Sequence, residues 1–166
     1  INVAGHRLST GRLEEVVAAH PAVAECAVIG VADPDKGQVP AGLAVVKDGV
    51  NMSAATLASE LVARVRQEVG AFANYKRTAI VKRLPKTRSG KILRQVMRKI
   101  ADDQPWETPA TIDDPLILDE IGQALVREQI GLVGSKGEGS KEGGKAGGKE
   151  GSKAGGKKDS KGEGNG

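Results

Sequence analysis

The sequence is poor in aromatic residues and cysteine and has no long apolar run. Phe72, Tyr75 and Trp106 are its only aromatics. Any core must therefore be built from Val, Ile, Leu and Ala, and there is no series of platforms for stacking single-stranded bases. Cys26 is the sole cysteine, which excludes an intrachain disulfide and fits a reducing compartment. No apolar stretch approaches the roughly 20 residues of a membrane-spanning helix, and no signal or transit peptide is visible. These features give an expectation of an intracellular protein, in the cytoplasm or the mitochondrial matrix.

Apolar residues are also missing from one end. From Gly134 onward the chain alternates Gly, Lys, Ser and Glu, with nothing apolar larger than Ala. Such a segment cannot bury enough surface to offset the entropy of ordering it. The folding part is therefore expected over about residues 1–131, with a disordered Gly/Lys/Ser/Glu-rich tail at 132–166. The formal net charge of +4 belongs mostly to that tail, where eight Lys face five acidic residues. The remainder holds 17 basic and 16 acidic residues and is nearly neutral, which weakens a polyanion-binding reading of the folded part.

The pattern along the chain predicts a small α+β domain, with about three strands covered by helices and an N-terminal hairpin. Ile1 to Leu8 reads as two short extended pieces around Ala4-Gly5. Ser9-Thr10-Gly11 offers a helix start, followed by Leu13, Val16 and Val17 at helical spacing and ended by His20-Pro21. Val23 to Val31 and Pro40 to Lys47 read as an antiparallel pair around the turn cluster Asp33 to Gly37. Ser53 is a candidate N-cap for a helix to Val69, with Leu57, Leu61, Val65 and Val69 on one face and Gly70 at its end. Arg77 to Lys82 is a third strand, Lys91 to Ala101 a basic amphipathic helix, and Pro115 to Gln129 a last helix. Between these last two helices lies a Pro- and Thr-rich connector. Cys26 and Trp106 read as packing residues, with a lid as the alternative for Trp106. His20 reads as a helix-end residue, and no metal-ligand cluster is visible.

The most informative segment is Leu84 to Arg94, LPKTRSGKILR. Lys91 follows Ser-Gly at the tip of a polar loop, just before a helix. A compact ammonium on a flexible stem suits a phosphate or carboxylate there. The segment is not a phosphate-binding P-loop: Pro85 stands where the first Gly should be, and Ile92 follows the Lys in place of Ser/Thr. From Lys76 to Lys99 there are ten Lys/Arg and no acid. On charge alone, Lys91 is one solvated cation among many, or part of a nucleic-acid-binding or docking module.

The LPKTRSGKILR run resembles the C-terminal signature of the adenylate-forming acyl-CoA synthetases. The opening INVAGHRLSTGRLEE resembles the post-hinge hairpin of the acetyl- and propionyl-CoA synthetase branch. HPAVAECAVIGVADPDKGQVP falls between them in the expected order. The likeness covers about Ile1 to Leu125, and TPATIDDPLILDEI looks more like the propionyl than the acetyl branch.

This resemblance implies that residues 1–105 are the mobile C-terminal domain of such an enzyme, with a connector and terminal helix at 106–131. Its partner would be its own N-terminal adenylation domain, which lies outside this sequence and would bind ATP, Mg2+ and a short-chain carboxylate. The enzyme class implied is an AMP-forming acid–thiol ligase, which makes acyl-CoA from acetate or propionate, ATP and CoA through an acyl-adenylate. By match to the family, Lys91 would serve adenylate formation. Ala4 and Gly5 would line the path of the CoA thiol, Arg7 would contact the nucleotide, and Arg66 would meet the 3′-phosphate of CoA. The residues alone leave Gly5 open as a turn glycine and Arg66 as an exposed helix residue. The chain by itself is expected to lack useful ligase activity, and neither a membrane nor nucleic acid is an expected partner.

Overall fold

The computed structural model describes residues 1–139. Its central hairpin is β3 (Val23–Asp33) and β4 (Gly37–Val46), paired antiparallel from Val23↔Val46 to Asp33↔Gly37 with a bulge between Val23 and Glu25. Asp33 closes the turn by accepting the backbone N–H groups of Asp35 and Lys36. The opposite edge of β4 carries two partners. Near its start lies β1 (Asn2–Val3), antiparallel to β2 (His6–Arg7); further along lies β5 (Thr78–Ile80), which runs parallel to β4. The described sheet thus has five strands rather than about three, because the N-terminal hairpin joins it through Val3↔Gly37.

Helices cover both faces. On one side α1 (Thr10–Ala18) and α2 (Ala54–Glu68) pack Leu13, Val16, Val17, Leu57, Leu61 and Val65 against Cys26, Val28 and Ala44. On the other, α3 (Arg94–Ala101), α4 (Leu116–Arg127) and α5 (Gly131–Gly139) cover Ala27, Ile29, Val31, Leu43 and Ala79. Successive strand residues point to opposite faces, and here both faces are buried. This is why Val23–Val31 is almost uninterrupted in small and apolar residues instead of alternating with polar ones.

The helix starts follow the capping logic. Ser9 Oγ accepts the N–H of Arg12, and Ser53 Oγ accepts that of Thr56, each satisfying a donor left over at a helix start. The outer edge of β3 is blunted by carboxylates: Glu14 Oε1 accepts the N–H of Val28 at 2.9 Å, and Asp102 Oδ1 that of Ala32 at 2.8 Å. An unpaired strand edge would otherwise template association with another chain.

Four expectations change. The helix expected from Lys91 begins at Arg94, because Lys86 and Ile92 are joined in an isolated antiparallel bridge that keeps the intervening residues extended or turned. The tail expected from residue 132 begins instead with α5, whose Val133 packs against the core and whose Gly131 takes φ +70° against the carbonyl of Ala101. A Cβ at Gly131 would lie 2.4 Å from that oxygen, so the glycine there permits close packing. Trp106 is exposed at 37 % and anchors no core cluster. The last helix ends at Arg127 rather than Gln129, since Gln129 has φ +55° and breaks the helical path. The tail beyond residue 139 lies outside the described residues. Cys26 and His20 behave as read. Cys26 is buried, and the His20 ring, at the end of α1, joins Ala22 N–H to Glu60 on α2.

Candidate functional site

Lys91 stands at the end of a short, internally bonded bend. Thr87 N–H donates to the Lys91 carbonyl at 2.9 Å, Gly90 N–H to the Thr87 carbonyl at 2.8 Å, and Lys91 N–H to Thr87 Oγ1 at 3.1 Å. Gly90 has φ +88°, a conformation that glycine adopts without the steric cost other residues meet. Leu93 N–H then bonds the Pro85 carbonyl, closing the base of the loop. The bend fixes the Lys91 backbone, while the side chain is exposed and its amine meets no acid among the described residues.

Four of the nine other cations of this run are paired with acids. Arg94 grips Glu14 with two bonds, Nε to Oε1 at 2.7 Å and Nη2 to Oε2 at 2.8 Å. Arg83 reaches Asp114 at 2.7 Å and Glu120 at 2.9 Å. Lys86 pairs with Glu25, and Arg98 lies 3.8 Å from Asp102. The basic stretch that resembled a polyanion footprint is therefore neutralised in part by the fold. Its charge pairs raise the affinity of the Arg83 and Arg94 guanidinium groups for their protons, and they hold the Asp114 and Glu120 carboxyls below the usual range through hydrogen bonds from Arg83.

The N-terminal residues form a separate site. Ala4 (φ +47°) and Gly5 (φ +84°) make the two-residue turn of the β1–β2 hairpin. Two consecutive left-handed residues match the twist of an antiparallel pair. Both are exposed, and a Cβ on Gly5 would meet nothing within 4 Å. Gly5 is thus needed for its backbone angle, and its tip is open. Arg7 is exposed on β2, opposite Asn2. The hairpin is held at the β3–β4 turn by Ala4 N–H donating to the Lys36 carbonyl.

Lys91 and the hairpin are not brought together. The Lys91 loop is tied through Lys86 to Glu25, near the start of β3, whereas the hairpin docks at Gly37, opposite Asp33 at the end of β3. Eight residues of extended strand separate these points by on the order of 25 Å.

Arg66 lies exposed in the last turn of α2. It lines an open groove of about 420 Å³ that also bears Lys76, Arg77 and Ser59. Arg77 Nη1 donates to the Glu128 carbonyl, whereas Arg66 and Lys76 are exposed cations of the groove. A smaller adjoining hollow joins Arg66 and Lys76 to Gly70 and Asn74. Next to Gly70 stands Phe72, 54 % exposed, with its ring edge-on to His6 of the hairpin at a centroid distance of 6.0 Å. Hairpin, Phe72 and Arg66 groove are therefore linked through neighbouring residues. Sequence reasoning missed Phe72 and Lys76. The signal was there in retrospect: one of only three aromatics follows the Gly that ends α2.

Among the described residues no group of three His, Cys, Asp or Glu could hold a metal ion, and no helix is long and apolar enough to cross a membrane.

A small sheet with helices on both faces, a presented lysine loop and a separate glycine hairpin make up one small α+β domain. Residues 12–91 match the family of AMP-binding enzyme C-terminal domains. An uncharacterized protein of Pseudomonas aeruginosa is 63 % identical over 125 residues, 75 % of this chain and 20 % of that protein. An acyl-CoA synthetase short-chain family member B, mitochondrial, of Dictyostelium discoideum is 49 % identical over 121 residues, 73 % of this chain and 18 % of that protein. An acyl-CoA synthetase of Brucella canis of known structure is 35 % identical with a TM-score of 0.54, over 59 % of this chain and 18 % of that one. Residues 12–91 are an AMP-binding enzyme C-terminal domain similar to that of short-chain acyl-CoA synthetases, and the chain spans about a fifth of the length of these relatives.

Proposed function

We propose that this chain is the mobile C-terminal part of an AMP-forming short-chain acyl-CoA synthetase, acting with an adenylation domain that precedes it in the complete enzyme. The observation that carries the proposal is the separation of two presented sites, a lysine amine free of acids at one end of β3 and an open glycine turn at the other. Adenylate formation brings a carboxylate against the α-phosphate of ATP. An ammonium between the two anions would position them and stabilise the charge that develops on the phosphoryl oxygens. Lys91 is suited to this by its exposure and its anchored backbone. After the domain turns, the Ala4-Gly5 tip would border the path of the CoA thiol toward the acyl-adenylate, with Arg7 near the nucleotide.

Arg66 and Lys76 would hold the 3′-phosphate of CoA, for which a guanidinium fork beside a lysine is well matched. Phe72 offers a face to the adenine of CoA. The described residues offer no carboxylate cluster for Mg2+, so the metal would be bound by ATP and the adenylation domain. The carboxylate would be acetate or propionate, with residues 108–121 favouring the propionyl branch by resemblance, and the compartment cytoplasm or mitochondrial matrix. Without the adenylation domain the chain would not turn over substrate.

The test is Lys91→Ala in the complete enzyme. ATP–pyrophosphate exchange is expected to fall by about 10²- to 10³-fold, the usual cost of removing one charge-stabilising donor. Thioester formation from supplied acyl-adenylate should be nearly unchanged, and an equal fall in both half-reactions would contradict the proposal.

A further inference from the structure

The segment 109–114 lies beyond the matched domain family, which ends at Lys91, yet it is hydrogen-bonded along the outside of the Lys91 loop. Arg88 N–H donates to the Thr111 carbonyl at 3.0 Å, and Asp113 N–H to the Lys86 carbonyl at 2.9 Å. Thr87 and Ile112 form an antiparallel bridge. The loop is thereby paired on both sides, Lys86 with Ile92 within it and Thr87 with Ile112 outside it. Thr87 is also the residue whose hydroxyl and N–H hold the Lys91 backbone.

The segment is itself anchored. Ile112 is 5 % exposed and belongs to the core cluster with Leu84, Met97 and Leu118. On its far side Arg83, which immediately precedes the loop, joins Asp114 to Glu120 of α4. A polar loop with two glycine- or serine-type residues at its tip would otherwise sample many conformations, each placing the Lys91 amine elsewhere. The pattern is that of a supporting shell around a functional side chain, in which neighbours fix the backbone that bears it.

We infer that residues 109–114 act as a splint that positions Lys91 for the adenylation half-reaction, with Arg83 as its clasp. The inference rests on the role proposed for Lys91. Residues 109–114 touch no reacting atom and act only through the loop, so their loss affects the half-reaction that uses Lys91 and leaves the hairpin end of the domain intact.

The experiment uses the complete enzyme and two variants. Asp113→Pro deletes the N–H that bonds Lys86, at an exposed position, and Arg83→Met removes the clasp. Lys91→Ala runs beside them. Both splint variants should lower ATP–pyrophosphate exchange by about 10- to 100-fold, as misplacement of a positioned group does, through kcat rather than the KM for ATP. Thioester formation from supplied acyl-adenylate should stay within about twofold, and amide hydrogen exchange at residues 86–91 should quicken while β3 and β4 keep their protection. Partial rescue by Arg83→Lys is expected, because a single ammonium can still reach one carboxylate. Lys91→Ala losing exchange while both splint variants retain it would overturn the inference alone. Equal loss of the two half-reactions in the splint variants would reduce the segment to general support of the fold and would also overturn it. Retention of exchange by Lys91→Ala would instead refute the role of Lys91 on which the inference stands.

Discussion

Replacing Glu14 tests how the two faces of the domain are coupled. Its Oε1 accepts the N–H of Val28, a residue with no exposed surface, and both its oxygens hold the Arg94 fork at the start of α3. Glu14→Ala leaves the Val28 N–H without its acceptor, which costs about 1–3 kcal/mol when the donor stays dry. The Arg94 contribution is smaller. Its side chain is 42 % exposed and recovers water when released, so the lost ion pair adds no more than about 1 kcal/mol. The expected total is about 1–4 kcal/mol. Glu14→Gln keeps a carbonyl for Val28 and forfeits the charge, and should cost less than half as much. Urea unfolding of the chain would show this as a lower midpoint at unchanged slope. Equal losses for Ala and Gln, or losses below about 0.5 kcal/mol for both, would refute the view that the backbone bond, rather than the ion pair, is what Glu14 supplies.

Gly42→Ala should destabilise the chain by about 1–3 kcal/mol or more, since the new methyl would fall 1.9 Å from the Tyr75 hydroxyl, which is held by Thr78 at 2.7 Å; thermal melting measures it. Burial and the nearby Glu14 carboxylate push the Cys26 thiol up to about 11, so alkylation of the native chain at pH 8 should be on the order of a hundredfold slower than in denaturant, and equal rates would contradict the burial. Asp114 and Glu120 have depressed carboxyl pKa values in the fold. Their contribution is therefore present above the unfolded carboxylate range of about 4 and is lost as pH falls below it. Protection factors for amide exchange at residues 109–120, taken against the intrinsic rate at each pH, should fall on acidification before those of β3, and a simultaneous fall would argue against a local clasp.

Much of this architecture was legible because it rests on local chemistry. Ser53 and the apolar series Leu57, Leu61 and Val65 announce α2, and Ala4-Gly5 between short extended pieces announces the hairpin. What was hidden depends on partners remote in sequence. Nothing local shows that β5 runs parallel to β4, which follows from the crossover made by α2. Nor does the Pro- and Thr-rich composition of 106–115 reveal that its backbone pairs with the Lys91 loop. α5 was missed because its glycines argue against a helix, whereas Gly131 and Gly134 allow close approach to Ala101 and Gln129, and Val133 supplies the contact. For the candidate site, Lys91, Gly5 and Arg66 could be nominated from family resemblance. The pairing of Arg83, Lys86, Arg94 and Arg98 with acids around an exposed Lys91, and the link from the hairpin through Phe72 to Arg66, needed the fold.

In the proposed function, two ends of one small domain serve two successive steps. The direct measurement is the ratio of thioester-forming rate to ATP–pyrophosphate exchange rate in the complete enzyme bearing Gly5→Leu, a substitution at a residue with φ +84° and open surroundings. A fall in that ratio of about tenfold or more, with exchange intact, is the predicted result for a tip that borders the thiol path. A ratio equal to that of the unaltered enzyme would contradict it.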